Sequence, residues 1–197
     1  MQRTIFTTPF LSTFYHYLAR LLMRLLGWQI EGKLPDLPKF VLIGAPHTSN
    51  WDFLLFLGVI FSLRANVRFM GKAELFRFPI GWFFRFCGGV PVDRKKSTGL
   101  VEQMVKVCNE SEQFVLTIAP EGTRHQVTEW KRGFYHIAKS AGIPIVMAIV
   151  DGRHKTVRIG QVFHPTGDME ADMQSIKAVF EGMAGIKPRR KYITLQS

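Results

Sequence analysis

Two short stretches of the 197-residue chain carry side chains that could do chemistry. His47 and Asp52 stand five residues apart, as His-x4-Asp. A carboxylate at that distance can fold back on the imidazole. It then holds one ring nitrogen as N–H and leaves the other free as a base. A His–Asp pair with no nucleophile beside it suits direct removal of a proton from a substrate hydroxyl or amine. The same two residues could instead merely cap a helix. The second stretch is Pro120-Glu121-Gly122-Thr123-Arg124. Gly122 permits positive φ and close backbone approach, Thr123 offers a hydroxyl, and Arg124 offers a planar fork matched to phosphate or carboxylate. Glu121 could pair with Arg124 or bind a polar group of an acceptor. The stretch reads as an anion site or as a surface turn closed by a Glu–Arg pair.

The segments around these residues say how they must be held. Lys39 to Ala45 is a short apolar run before Pro46, which predicts a buried strand delivering His47. Ser49 or Asn50 can cap a helix from Trp51 to about Leu63, with Asp52 in its first turn. Phe114 to Ile118 predicts a strand ending at Ala119-Pro120. Further strands are expected at Asn66–Gly71, Gly88–Val92, Pro144–Val150 and Val157–Phe163. Helices are expected at Leu75–Phe86, where Pro79 and Gly81 interrupt, and at Thr98–Asn109, Phe134–Ser140 and Asp168–Glu181. Strands alternating with helices indicate a single α/β domain with a mixed, largely parallel sheet flanked by helices. In such sheets active sites lie in loops beyond the strand ends, which is where both stretches fall.

The composition narrows the partners. A net charge of +11 accompanies 47% hydrophobic residues, including 17 Phe and 4 Trp. Disordered chains pair high charge with few apolar groups, so disorder is excluded. Two cysteines, Cys87 and Cys108, are too few for a disulfide framework and read as buried thiols in a reducing compartment. Basic and apolar together suggest an anionic lipid surface. Nucleic acid is the rival partner. It is not expected, because the basic residues interleave with Phe and Trp and no nucleic-acid-binding motif occurs. The segment Phe10–Trp28 contains Arg20 and Arg24, each costing about 2.5–3.5 kcal/mol at a bilayer centre, so a membrane span is not expected. Nor is a secretory signal, for want of a basic n-region and a cleavage site. Thr13, His16, Arg20 and Arg24 form one narrow polar stripe. The segment is an amphipathic helix that either lies in the membrane interface with its Arg heads at lipid phosphates or packs on the domain with that stripe in water. The aromatics Phe76, Phe78, Trp82, Phe83, Phe84 and Phe86 suit either core packing or an acyl-chain groove or interface belt. Trp130-Lys131-Arg132 supplies a basic pair that either meets phosphates or merely starts a helix.

Taken together, His-x4-Asp and, about 70 residues on, Pro-Glu-Gly-Thr-Arg resemble the lysophospholipid acyltransferase (PlsC-like, 1-acylglycerol-3-phosphate acyltransferase) family. Gly71-Lys72-Ala73-Glu74-Leu75, running on to Val92-Asp93-Arg94, is similar to the family's second block. Gly142-Ile143-Pro144-Ile145-Val146 is similar to its fourth. The resemblance covers roughly Phe40 to Val150, with Pro46 and Ala119 standing where the best-known members have Asn and Phe. It resembles the small members without spanning helices, with residues 1–32 as a membrane-associating helix and 33–197 as the acyltransferase domain. The resemblance implies acyl transfer from acyl-CoA or acyl-carrier protein to the hydroxyl of a lysophospholipid, at the cytoplasmic face of the cell membrane. His47 would be the base, Asp52 its orienting partner, and Glu121, Gly122, Thr123 and Arg124 the holders of the acceptor's glycerol phosphate, with Arg94 and Lys72 as further phosphate contacts. No acyl-enzyme, bound cofactor or metal is implied. The alternatives are another acceptor on the same fold, such as a lyso-aminolipid or glycolipid, and a non-catalytic peripheral membrane protein.

Overall fold

The computed structural model describes residues 4–92, 99–125 and 127–187. Its centre is β2 (Lys39–Ala45), a strand buried on both faces. A strand with no solvated face needs apolar residues at nearly every position, which explains the unbroken Phe-Val-Leu-Ile run. Val41, Ile43 and Ala45 face one layer of helices, α4 (Leu100–Glu110), α5 (Gly133–Ala141) and α6 (Met169–Val179). Phe40 and Leu42 face the other way, toward Ile60 of α2 (Trp51–Ser62). Each such fully buried side chain contributes about 1.5–3 kcal/mol.

The remaining strands are β1 (Gln29–Gly32), β3 (Arg68–Lys72), β4 (Gly89–Val92), β5 (Phe114–Ile118), β6 (Ile145–Asp151) and β7 (Thr156–Phe163). They form one seven-stranded sheet in the order β1-β7-β6-β2-β5-β3-β4. Five strands, β6 through β4, run parallel, and the β6–β7 hairpin reverses direction for β7 and its parallel partner β1. The mixed, largely parallel α/β fold expected from the sequence is the fold observed. Its consequence for function is directional. The C-terminal ends of β2, β3, β4, β5 and β6 all lie along one edge. From adjacent strands, β2 leads through α2 to one side of the sheet and β5 leads through α5 to the other. That divergence opens a crevice between the two strand ends, the place where open α/β sheets bind ligands.

Three elements depart from expectation. β1 was not anticipated, because four mostly exposed edge residues carry no alternation to read. It lies just before the expected division at residues 32 and 33 and is paired with β7. The expected Leu75–Phe86 helix is divided. A 3-10 turn, Ala73–Phe76, precedes α3 (Gly81–Phe86), and Pro79 sits in the break, where it cannot continue a helix. The N-terminal helix α1 (Pro9–Leu25) ends before Trp28. It packs on α2 through Ala19 and Met23, and Tyr15 stacks on Phe61 with ring centroids 5.1 Å apart. His16 therefore does not share a water-facing stripe with Arg20 and Arg24, since its Nδ1 lies 3.2 Å from the Phe61 carbonyl oxygen.

Candidate active site

The chain leaves β2 at Ala45 and reaches α2 through five residues, Pro46 to Asn50. Asp52, in the first turn of α2, turns back over this loop. Its Oδ2 accepts three donors at once: the Thr48 N–H at 2.5 Å, the Ser49 N–H at 2.7 Å and the His47 Nδ1 at 2.9 Å. The Ser49 hydroxyl reaches Oδ1 at 3.4 Å and also accepts the Trp51 N–H at 3.2 Å. Burial pushes the Asp52 carboxyl up. The bonds from His47, Ser49 and Thr48, with the His47 charge, outweigh burial and hold its pKa below the ordinary carboxylate value. The positive end of the α2 dipole favours the same ionised form. Because Nδ1 is committed to Asp52, Nε2 is the nitrogen left to meet a substrate. His47 remains a quarter exposed.

The second stretch arrives beside the first. Glu121 is 2% exposed, and its Oε2 accepts the backbone N–H of His47 at 3.2 Å across 74 residues of sequence. The His47 loop is thus held from both sides, by Asp52 at the start of α2 and by Glu121 from the β5 loop. Gly122 takes the left-handed conformation, φ +66°, with the Lys131 stem against it; a Cβ there would lie 2.9 Å from Lys131 Cδ and Cε. Thr123 Oγ1 accepts the His125 N–H at 3.3 Å. Arg124 is exposed and makes no ion pair with Glu121 or any other described residue, so the turn closed by a Glu–Arg pair is not formed.

Lys72 closes β3 at the same sheet edge as His47. Arg94 lies outside the described residues, two positions beyond the end of β4. Of the basic pair after Trp130, Arg132 is engaged with Glu170 at 2.8 Å, while Lys131 stays at Gly122. The Thr48 and Ser49 amides, which fix Asp52, were not anticipated: any residue but proline supplies an N–H, so sequence carries no sign of them. A cavity of about 210 Å³ lies behind the loops, lined by Ala45, Pro46, Glu121, Trp130, Lys177 and Phe180. A larger cleft of about 630 Å³, between α1 and β1, includes Arg20 and Arg24 but neither His47 nor Asp52. Among the described residues, no group of three or more His, Cys, Asp or Glu side chains is placed to hold a metal ion.

The aromatic segment divides between core and surface. Phe76 is buried, Phe84 packs on Phe53 with centroids 5.8 Å apart, and Phe86 joins the small core around Ile5 and Phe61. Phe78, at 97% exposure, and Trp82, at 68%, face outward.

The acyltransferase family model matches residues 29–150, a span that contains every candidate site residue. A 1-acyl-sn-glycerol-3-phosphate acyltransferase of Streptococcus pneumoniae is 32% identical over 150 residues, which is 71% of this chain and 54% of that protein. One of Haemophilus influenzae is 24% identical over 148 residues, covering 70% and 60% of the two chains. This chain therefore spans little more than half the length of the curated relatives it matches. The crystal structure of the 1-acyl-sn-glycerophosphate (LPA) acyltransferase PlsC from Thermotoga maritima has the same fold, with a TM-score of 0.64 at 19% identity over 87% of this chain and 77% of that one.

Proposed function

The chain belongs to the acyltransferase family, and from that premise we propose that it moves a fatty acyl group from a thioester, acyl-CoA or acyl-carrier protein, to the hydroxyl of a lysophosphatidic acid-like lysophospholipid. The observation that carries this reading is the His47–Asp52 pair at 2.9 Å, braced by Glu121 at the crevice between two parallel strand ends.

In this mechanism His47 Nε2 takes the proton of the acceptor hydroxyl while its oxygen attacks the thioester carbonyl. Asp52 keeps the imidazole in the required tautomer and stabilises the imidazolium. Collapse of the tetrahedral intermediate breaks the C–S bond, and the proton on Nε2 passes to the leaving thiolate. A backbone N–H near the two loops that is not already bonded to Asp52 or Glu121 would stabilise the oxyanion. No acyl-enzyme is required. Both cysteines are buried and unpaired, and burial pushes the Cys87 thiol up to about 11, far from a reactive thiolate. Gly122, Thr123 and Arg124, with Lys72 and Arg94, would hold the acceptor's glycerol phosphate. For Glu121 its buried bond to His47 favours bracing over direct acceptor contact.

The enzyme would work on the cytoplasmic face of the membrane as a peripheral protein, with α1 associating with lipid and the sheet domain carrying the chemistry; β1, the last four residues of the expected 1–32 segment, belongs to that sheet. No helix among the described residues is long and apolar enough to cross a bilayer. Phe10, Phe14, Tyr17, Leu21 and Leu25 form one outward stripe on α1, opposite the face that packs on α2, and Arg20 and Arg24 are exposed along it. Trp51 and Leu54, in the first turn of α2 beside His47, are more than half exposed as well. Apolar side chains flanked by Arg suit the headgroup boundary, where the rings enter lipid and the guanidiniums meet phosphate.

The test offers purified protein a panel of lysolipids with acyl-CoA and with acyl-carrier protein, read by mass spectrometry. Acylation of lysophosphatidic acid by wild type, abolished in His47→Ala, is the expected result. Transfer to no acceptor, or full transfer by His47→Ala, overturns the reading.

A further inference from the structure

After α6 the chain turns back across the C-terminal ends of β6 and β2. Gly152, the residue after β6, donates its N–H to the Ala184 carbonyl at 2.7 Å. Ile186 packs against the cluster of Met23, Leu55, Val59, Val157 and Ile159. The Lys187 N–H then donates to Thr48 Oγ1 at 3.3 Å. Residues 184–187 thus form a strap pinned at one end to the β6–β7 turn and at the other to the His47 loop, 139 residues away in sequence.

The fit is too close for side chains at two points. A Cβ on Gly152 would overlap the Gly185 carbonyl oxygen and lie 2.7 Å from its carbon. A Cβ on Gly185 would overlap Thr48 Cγ2 and Oγ1 and lie 2.9 Å from Thr48 Cβ. Neither glycine has a φ that demands glycine, so space rather than backbone conformation excludes other residues here. Thr48 is also the residue whose own N–H, with that of Ser49, holds Asp52 Oδ2. The five-residue loop has three supports: Glu121 fixes the His47 N–H, α2 fixes Asp52, and the strap fixes Thr48 between them.

We propose that the strap of residues 184–187 positions the His47–Asp52 pair, and that Gly185 is a positioning residue of the acyl-transfer site. The inference rests on the reading of His47 as the catalytic base. The force runs from Gly185 to the Thr48 side chain, then through the Thr48 and Ser49 amides to Asp52 and the imidazole. A side chain at Gly185 displaces Thr48. The N–H bonds that aim Asp52 loosen, although neither catalytic residue has changed.

The experiment uses the full chain as wild type, Gly185→Ala, Thr48→Ala, and the double variant. Two readouts are taken: kcat and KM with lysophosphatidic acid and acyl-CoA, and the downfield NMR resonance of the hydrogen-bonded His47 ring proton, assigned by its absence in His47→Ala. Gly185→Ala is expected to lose or broaden that resonance and to lower kcat about tenfold with KM little changed, as for a misplaced catalytic group. Thr48→Ala removes the two nearest clashing atoms but also the Oγ1 that accepts the Lys187 N–H, so the double variant should match Thr48→Ala alone and regain only part of the resonance and of the lost kcat. A Gly185→Ala protein with the wild-type resonance and kcat overturns the proposal. So does a defect that Thr48→Ala leaves in full, which would mark general damage to the fold. Should Gly185→Ala fail to fold, Ile186→Ala loosens the strap more mildly. Faster hydrogen exchange of the Thr48 and Ser49 amides is expected there, and unchanged exchange overturns the proposal. The resonance and the exchange need no turnover. A wild type that acylates nothing therefore refutes the functional reading while the strap is still decided.

Discussion

Replacing Glu121 with Ala removes the acceptor of the His47 N–H from a position only 2% exposed. A hydrogen bond to a charged group contributes about 1.5–3 kcal/mol, and a buried donor left without a partner costs about 1–3 kcal/mol. These overlap, so the expected loss of stability is about 2–3 kcal/mol. At about 2–4 °C per kcal/mol for a domain of this size, Tm should fall by about 4–12 °C. Turnover should fall further than stability suggests. The freed loop lets the imidazole drift, and a displacement of about 1 Å costs about 100-fold in rate. Glu121→Gln keeps an oxygen where Oε2 stands and should lose much less of both. Thermal unfolding by circular dichroism gives the first quantity, and steady-state kinetics over a range of lysophosphatidic acid gives the second. A bracing residue lowers kcat and leaves KM near wild type. Glu121→Ala with an intact kcat and a raised KM would place the carboxylate on the acceptor and refute this reasoning.

Asp52→Asn should lower kcat by about 10³–10⁴-fold, the scale for losing a tautomer-setting carboxylate. Its stability defect should depend on pH. Asp52 has a lowered folded pKa, so its contribution is full above the ordinary carboxylate value of about 3.9 and is lost as pH falls through the folded value. The Tm gap from wild type should be widest near neutrality and close below about pH 4; a gap independent of pH contradicts the assignment. On vesicles containing anionic lipid, Phe14→Glu with Leu21→Glu should abolish co-sedimentation. Arg20→Ala and Arg24→Ala should each weaken binding about fivefold, from about 1 kcal/mol per charge near the surface, and equal binding by all variants would remove α1 from the interface. Asp172 is a structural counterpart: 3% exposed, it accepts the Tyr135 hydroxyl at 2.8 Å and the Thr166 N–H and hydroxyl at 2.7 Å each. Asp172→Ala should cost about 3–5 kcal/mol by stranding those donors, with kcat per folded molecule unchanged, as urea titration and kinetics would show.

Much of the fold was legible because its signals are local. The apolar runs at Lys39–Ala45 and Ile145–Asp151 are strands buried on both faces, and such strands advertise themselves. The helix after Asn50 declares itself by its apolar run and its acidic first turn. Where packing rather than pattern decides, the signal fails. β1 is a strand because β7 offers it an edge, and nothing in Gln-Ile-Glu-Gly requires that. His16 looks like one of four polar residues on a helix face. Only the close approach of α1 to α2 at Phe61 turns it inward.

The site divides along the same line, and sheet register explains how. His47 and Asp52 are neighbours in sequence, and their spacing alone permits the bond observed. Glu121 is 74 residues from His47, and no spacing rule joins them. In the parallel ladder, however, Ile43 of β2 lies beside Ile118 of β5. His47 is four residues beyond the first and Glu121 three beyond the second. At about 3.3 Å of rise per residue, both chains leave the sheet at nearly the same height on adjacent strands. The interval of about 70 residues between the two motifs therefore has no catalytic meaning by itself; it is the length of α2, β3, the 3-10 turn, α3, β4 and α4 laid between two strands that must end together. An insertion in the α4–β5 connection at Ser111–Glu112 should be tolerated, because β5 keeps its pairing. A single residue added between Ile118 and Pro120 keeps that pairing but moves Glu121 one step past the His47 N–H. Its kcat should fall toward that of Glu121→Ala, whereas retention of the wild-type kcat would show that register does not set this contact.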